Sequence, residues 1–162
     1  MIDIVIKILI AAAIFLCGYV YGIINNKESM ISDIEFHRGN ADKYYSMYLL
    51  CNQWLIAKNK KSDIVSYLNA KDVHTVAIYG MSEIGELLYE ELANSSIQIK
   101  YGIDCCLGKK CGNISVFSVE ENLEPVDLII VTPIYYYKEI EESLKKKEIG
   151  KIISIEEIIY DI

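Results

Sequence analysis

The sequence predicts an α/β fold: a small parallel sheet of about five strands, ordered 3-2-1-4-5 and flanked by helices, preceded by an N-terminal transmembrane helix and a helical lead-in. Three observations lead there. Short apolar runs after Asp72 end in turn residues and alternate with segments of helical period. No full helix separates the second run from the third. The stretch from Ile8 to Ile24 carries no charged residue. With 162 residues, the chain has room for one domain and an anchor. The expected divisions are an anchor at 1–24, a linker or stalk at 25–39, a helical lead-in at 40–72 and the αβ domain at 73–162.

The N-terminal segment comes first. Apolar character extends back from Ile8 to Ile4, interrupted by Lys7 alone. Helical rise carries residues 4–24 across roughly 30 Å, the depth of a hydrocarbon core. Lys7 stands near one end, where its stem can snorkel, and Tyr19 and Tyr21 stand near the other, where an aromatic belt belongs. A cleaved signal peptide would need a small-residue site that Gly18 to Gly22 supplies poorly, and Leu16 before Cys17 is wrong for a lipoprotein. A buried core helix is the remaining alternative. Lys27, Arg38 and Lys43 follow the segment, while Asp3 offsets Lys7 before it. The expected localisation is therefore a single-pass membrane protein with a cytoplasmic C-terminal domain.

Residues 25–39 are polar and mixed. From Asn40 onward Tyr44, Tyr48, Cys51 and Leu55 recur at helical spacing, with Met47, Leu50 and Trp54 widening the stripe. The expected helix at 40–58 either packs on the domain that follows or offers a surface for a homo-oligomer or protein partner. Packing is the favoured reading, because a small parallel sheet needs cover on both faces. Ser62 is the expected cap of a short second helix carrying Ile64, Val65 and Leu68.

In the domain, Thr75 to Tyr79 reads as a buried strand ending at Gly80, and Ser82 to Ala93 as a helix with Ile84, Leu87, Leu88 and Leu92 on one side. Strands follow at 97–103, ending at Asp104, and at 114–117. Another at 127–131 runs into Thr132-Pro133. A helix at 138–147, a strand at 151–155 and a closing segment at 156–162 complete the order. Right-handed crossovers give the strand order stated above.

The turn Gly80-Met81-Ser82-Glu83-Ile84-Gly85 aligns with G-x-G-x-x-G, with Ser82 at the middle glycine. The first glycine permits the tight turn, and the last lets helix and strand approach closely. Ser82 is the least obstructive replacement, able to donate to a phosphate or to serve only as the helix N-cap. Glu83 places negative charge at the helix N-terminus and competes with a phosphate. Asp104 falls 24 residues after Gly80, near where an acid holds the ribose hydroxyls of NAD. These features make the fold Rossmann-like, with NAD(P) or a nucleotide-sugar as the candidate ligand.

Residues 76–104, "VAIYGMSEIGELLYEELANSSIQIKYGID", and 125–144, "PVDLIIVTPIYYYKEIEESL", resemble Rossmann-like domains found with bacterial cell-surface polysaccharide proteins, which are similar to nucleoside-diphosphate-sugar epimerases and dehydratases. The upstream "YLLCNQWLIAKNKKSDIVSYL" resembles their helical lead-in, so the likeness covers roughly residues 44–160. It implies nucleotide or nucleotide-sugar contact at Gly80, Ser82 and Gly85, and ribose contact at Asp104. It also implies that Thr132 and Pro133 lie at the ligand-facing end of the fourth strand. Membership would make the chain accessory to envelope polysaccharide assembly.

Composition excludes other classes. Residues 71–162 hold 9 basic and 17 acidic side chains, a balance that repels phosphate backbones, so no nucleic-acid partner is expected. Cys17, Cys51, Cys105, Cys106 and Cys111 lack framework or C-x-x-C spacing and stand far from His37 and His74, so they read as reduced thiols with no metal. No catalytic constellation is found. The only Tyr-x-x-x-Lys, Tyr67 to Lys71, precedes the glycine turn; Gly108-Lys109-Lys110 lacks the rest of a phosphate loop; and the acid pairs Glu90-Glu91 and Glu141-Glu142 fall on helix faces. Tyr135, Tyr136 and Tyr137 either stack on a base or sugar or cover the sheet edge. An enzyme would then need a partner subunit; the alternative without a ligand is a protein-interaction scaffold.

Overall fold

A computed structural model of the chain describes the backbone of residues 2–105 and 112–162, with side chains except at 2, 5, 7–9, 25, 26, 28, 29 and 33. The elements run α1 (Ile2–Asn59), α2 (Ile64–Ala70), β1 (Thr75–Tyr79), α3 (Glu83–Ala93), β2 (Gln98–Ile103), β3 (Val116–Phe117) and β4 (Leu128–Val131). A 3-10 turn (Ile134–Tyr136), α4 (Tyr137–Lys145), β5 (Lys151–Ser154) and α5 (Ile155–Asp161) follow. Residues up to Tyr44 form one unit and those from Tyr45 a second.

All four strand pairings are parallel, and the order is β3-β2-β1-β4-β5, as the crossover rule requires. The chain leaves β1 toward β2 and β3, then returns to the other side of β1 at β4. The switch point therefore lies between β1 and β4, at the strands' C-terminal ends. β1 and β4 are apolar along their length because both faces are covered. Val76, Ile78, Leu128 and Ile130 face one cluster, with Ile64 and Leu68 of α2, Leu88 and Leu92 of α3, and Ile155, Ile158 and Ile159 of α5. Ala77, Ile129 and Val131 face the other, with Tyr101, Ile103, Leu123, Val126, Leu144 and Ile149. The period-two alternation along each strand sorts the side chains between the clusters.

Two expectations need correction, the cap of α2 and the packed face of α1. Residues 25–39 are helical, the stalk alternative of the two expected, as part of a single α1 that ends at Asn59, with Lys61 turned to a φ of 62° just beyond it. Among the described residues no helix is long and apolar enough to cross a membrane; the expected span includes positions 5 and 7–9, whose side chains lie outside the description. The cap of α2 is Asp63 rather than Ser62: its carboxylate accepts the Ser66 N–H at 2.7 Å, and its longer reach closes the turn one residue later. The face of α1 that packs on the domain centres on Leu50, Trp54 and Ala57, all buried, instead of on the stripe through Tyr44, Tyr48 and Leu55, which is exposed. Periodicity alone finds an apolar stripe but cannot choose between two adjacent ones.

One carboxylate holds that packed face. Glu91 of α3, 7% exposed, accepts the Trp54 indole N–H at 2.9 Å and the Ile64 N–H at 3.2 Å, and pairs with the Lys58 ammonium at 2.7 Å. A sequence-level reading of Glu90-Glu91 as solvated acids is correct for Glu90, which is exposed, and wrong for Glu91.

Candidate functional site

The glycine turn forms at the switch point. Gly80 has a φ of +90°, a conformation in which a side chain is strained. Its N–H continues the β1–β2 ladder to the Ile103 carbonyl at 2.8 Å. A Cβ there would also meet Pro133 Cδ and Cγ and Thr132 Oγ1, each at 2.7 Å. Gly85 packs its α-carbon under the Gly80 carbonyl so tightly that a Cβ would collide with the Gly80 oxygen. Both glycines thus do the jobs the sequence spacing assigned them: the first turns the chain, the last lets α3 lie against β1.

Thr132 fastens the turn from β4. Its N–H donates to the Tyr79 carbonyl at 2.9 Å, and its hydroxyl donates to the Gly80 carbonyl at 2.7 Å, with the Tyr79 carbonyl oxygen at 3.1 Å. At 4% exposure it reads as a strut of the site. Pro133 closes over Gly80 and opens the 3-10 turn. Met81 and Ile84 are core residues, Met81 fully buried and Ile84 nearly so. The Met81 thioether fills the space above Gly102, where a Cβ would lie 2.9 Å from the sulfur. Ser82 is the N-cap residue of α3 by backbone conformation, but its hydroxyl makes no cap hydrogen bond.

Asp104, one residue past β2, reaches back to the turn: its Oδ2 accepts the Met81 N–H at 2.8 Å. The Cys105 thiol lies 3.5 Å from Oδ1. The two halves of the expected motif are therefore joined by a hydrogen bond that spans 23 positions of sequence. The same bond gives a turn amide a carboxylate partner. Glu83 and Glu86 add two more negative charges in the first turn of α3, where the helix dipole welcomes them. The edge holds a carboxylate beside a bend, in an electrostatic setting that disfavours a second anion.

Tyr79, the last residue of β1, played no part in the sequence-level site. Burial pushes its phenol above the usual value, and the neighbouring Cys105 and Asp104 push the same way. Its place directly before Gly80, on the strand end that feeds the turn, was the available signal. Tyr135 and Tyr136 are about half exposed, their rings edge-to-face at 5.2 Å. They line a separate depression of about 450 Å3 with Tyr137, Ser154 and Glu156. Burial and then Glu141 push the Tyr137 phenol up to about 12.

A depression of about 510 Å3 lies between α1 and α3, lined by Cys51, Trp54, Leu55, Lys58, Leu87, Glu90 and Glu91. Its buried polar groups already satisfy one another through Glu91, so little is left to orient a small molecule. The glycine turn remains the better candidate on chemistry. Cys106, Cys111 and the Gly108-Lys109-Lys110 segment lie outside the described residues. No family model, curated protein or solved structure matches the chain.

Proposed function

We propose that this chain is a membrane-anchored module that binds a nucleotide or nucleotide-sugar, NAD(P) included, as an accessory to cell-envelope polysaccharide assembly. The bond between Asp104 and the Met81 amide carries the reading, because it puts a carboxylate beside a glycine turn at the switch point of a parallel sheet. In such a ligand the ribose hydroxyls would donate to Asp104, beside the bend that Gly80 and Gly85 shape. Ser82, Glu83 and Glu86 fit a diphosphate poorly, so recognition would rest on the nucleoside end and affinity would be modest. The anchor reading is supported by the exposed apolar residues Ile10, Ile14, Phe15, Leu16, Val20, Ile23 and Ile24. The polysaccharide role is supported by the sequence resemblance alone.

Thermal unfolding of the full chain in detergent micelles, with UDP-sugars, NAD and NADP at millimolar concentration, tests this. A ligand present at about ten times its Kd adds roughly 1.4 kcal/mol and raises Tm by a few degrees. Asp104→Ala should remove that rise. No response to any of these ligands would overturn the proposal.

A second reading, a protein-interaction scaffold with a degenerate Rossmann-like fold, is favoured by the same bond if the acid has taken the ligand's place. It expects Asp104→Ala to cost about 1 kcal/mol of stability with no ligand response in either protein.

A further inference from the structure

The depression of about 450 Å3 beside Tyr135, Tyr136 and Ser154 has the size of a small-molecule site. The 3-10 turn that follows β4 and the helix α5 that follows β5 line it together, so it lies at the carboxyl ends of the strands, where parallel α/β sheets take ligands. Ser154, 7% exposed, is its buried polar group. The Ser154 hydroxyl oxygen accepts the Glu156 N–H at 3.2 Å and so caps α5. Its proton has no acceptor among the described residues, which leaves a buried donor with a bond still to give. Tyr135 and Tyr136 are 49% and 42% exposed, and their rings meet at 85°. Crossed rings make a corner, not the parallel slot that would sandwich a flat base.

Charge and donor count narrow the ligand. Lys138 brings one ammonium and Glu139 and Glu156 two carboxylates, all exposed, and none of the three forms an ion pair among the described residues. The balance is negative, which disfavours a phosphate. A carboxylate only accepts, an ammonium only donates, and the Ser154 proton needs an acceptor. The ligand that fits has groups around its rim that both donate and accept, and an apolar face for a tyrosine ring. A pyranose has both: hydroxyls around the ring and C–H groups on its faces. We infer that this depression binds the neutral pyranose ring of a glycoside. The site uses neither the glycine turn nor Asp104, so it stands or falls without the nucleotide reading.

Saturation-transfer NMR on the full chain, in micelles of a detergent without a sugar head group, provides the test. The probes are the methyl glycosides of glucose, galactose and N-acetylglucosamine, with uridine and adenosine as flat-base comparisons. At least one glycoside should bind with a Kd of roughly 1–10 mM. Tyr135→Ala or Tyr136→Ala should weaken that binding about five-fold. Ser154→Ala should weaken it by a similar factor, and Ser154→Thr, which keeps both the donor and the cap, should bind as the parent does. Asp104→Ala should leave glycoside binding unchanged, which keeps failure here distinct from failure at the turn. No signal from any glycoside, a signal from uridine or adenosine alone, or tyrosine and Ser154→Ala variants that bind as tightly as the parent would each overturn the inference. Both tyrosines are exposed, so their removal should leave the fold intact, as far-UV circular dichroism of the variants checks.

Discussion

The two edges of the sheet use the same bond, carboxylate to backbone amide, in different ways. At the N-terminal edge Asp127, just before β4, accepts the N–H groups of His74 at 3.0 Å and Thr75 at 2.8 Å on one oxygen. Its own N–H donates to the Thr75 hydroxyl at 3.0 Å. Bonds running both ways tie the starts of β1 and β4 together, and they hold the carboxyl below its usual pKa. At the C-terminal edge Asp104 reaches the turn through the Met81 amide, and what fixes the shape there is backbone: Gly80, Gly85 and the Thr132 strut. The difference teaches where an acid is structure and where it is replaceable. Removing Asp127 opens a strand junction, whereas removing Asp104 leaves the bend standing.

The largest effect should come from breaking the backbone-built edge. Gly85→Ala drives a methyl into the Gly80 carbonyl, a rigid neighbour, so α3 must lift from β1. Unfolding in urea should show a loss of about 3 kcal/mol or more. A loss under about 1 kcal/mol would mean the bend relaxes freely, and the contrast between the edges would fail.

A third carboxylate sharpens the comparison. Glu91 lies near the C-terminus of α3, which topology returns to the sheet's N-terminal edge, and it gathers the Trp54 indole, the Ile64 amide and the Lys58 ammonium. Glu91→Ala leaves the indole and a helix-start amide without their acceptor. The expected cost is about 2 kcal/mol, with Trp54 fluorescence shifting to the red as water reaches the ring. Glu91→Gln should recover part of this, because one amide oxygen still accepts. An alanine variant as stable as the parent would place Glu91 with the replaceable acids.

The sequence carried the sheet well because its signals are local. Apolar runs bounded by Gly80, Asp104 and Thr132-Pro133 mark strand ends within a residue or two, and the strand order follows from connection lengths and handedness. The glycines were legible for the same reason: each need is steric and set within six positions. What spacing could not show is where a long side chain goes. Asp104 was expected to contact a ribose; its observed bond to the turn amide depends on the bend's orientation, which spacing does not carry. Thr132 was expected at the ligand edge and turns its hydroxyl inward. Glu91 hides among solvated acids because its partners lie 27 to 37 positions away. On α1 two apolar stripes overlap, and only the tertiary contact separates the packed one from the exposed one.

The smallest effect bears most directly on the contrast between the two edges. Both amides that reach Asp127 end on the same oxygen, so Asp127→Asn can keep both bonds and lose only the charge. A carboxyl whose folded pKa is depressed contributes stability that is present above its unfolded value, near 3.9, and lost as pH falls through the folded value. The parent should therefore be slightly more stable than Asp127→Asn at neutral pH, and the two unfolding curves should converge as the pH drops below about 4. Curves that stay parallel in acid would show that the amides do not favour the charged form. The same variant also separates the edges by ligand: Asp127→Asn should keep the full thermal response to whichever nucleotide the parent binds, while Asp104→Ala loses it. Loss of that response in both variants would mean that a strand junction at the far edge controls the site, and the division between structural and replaceable acids would have to be abandoned.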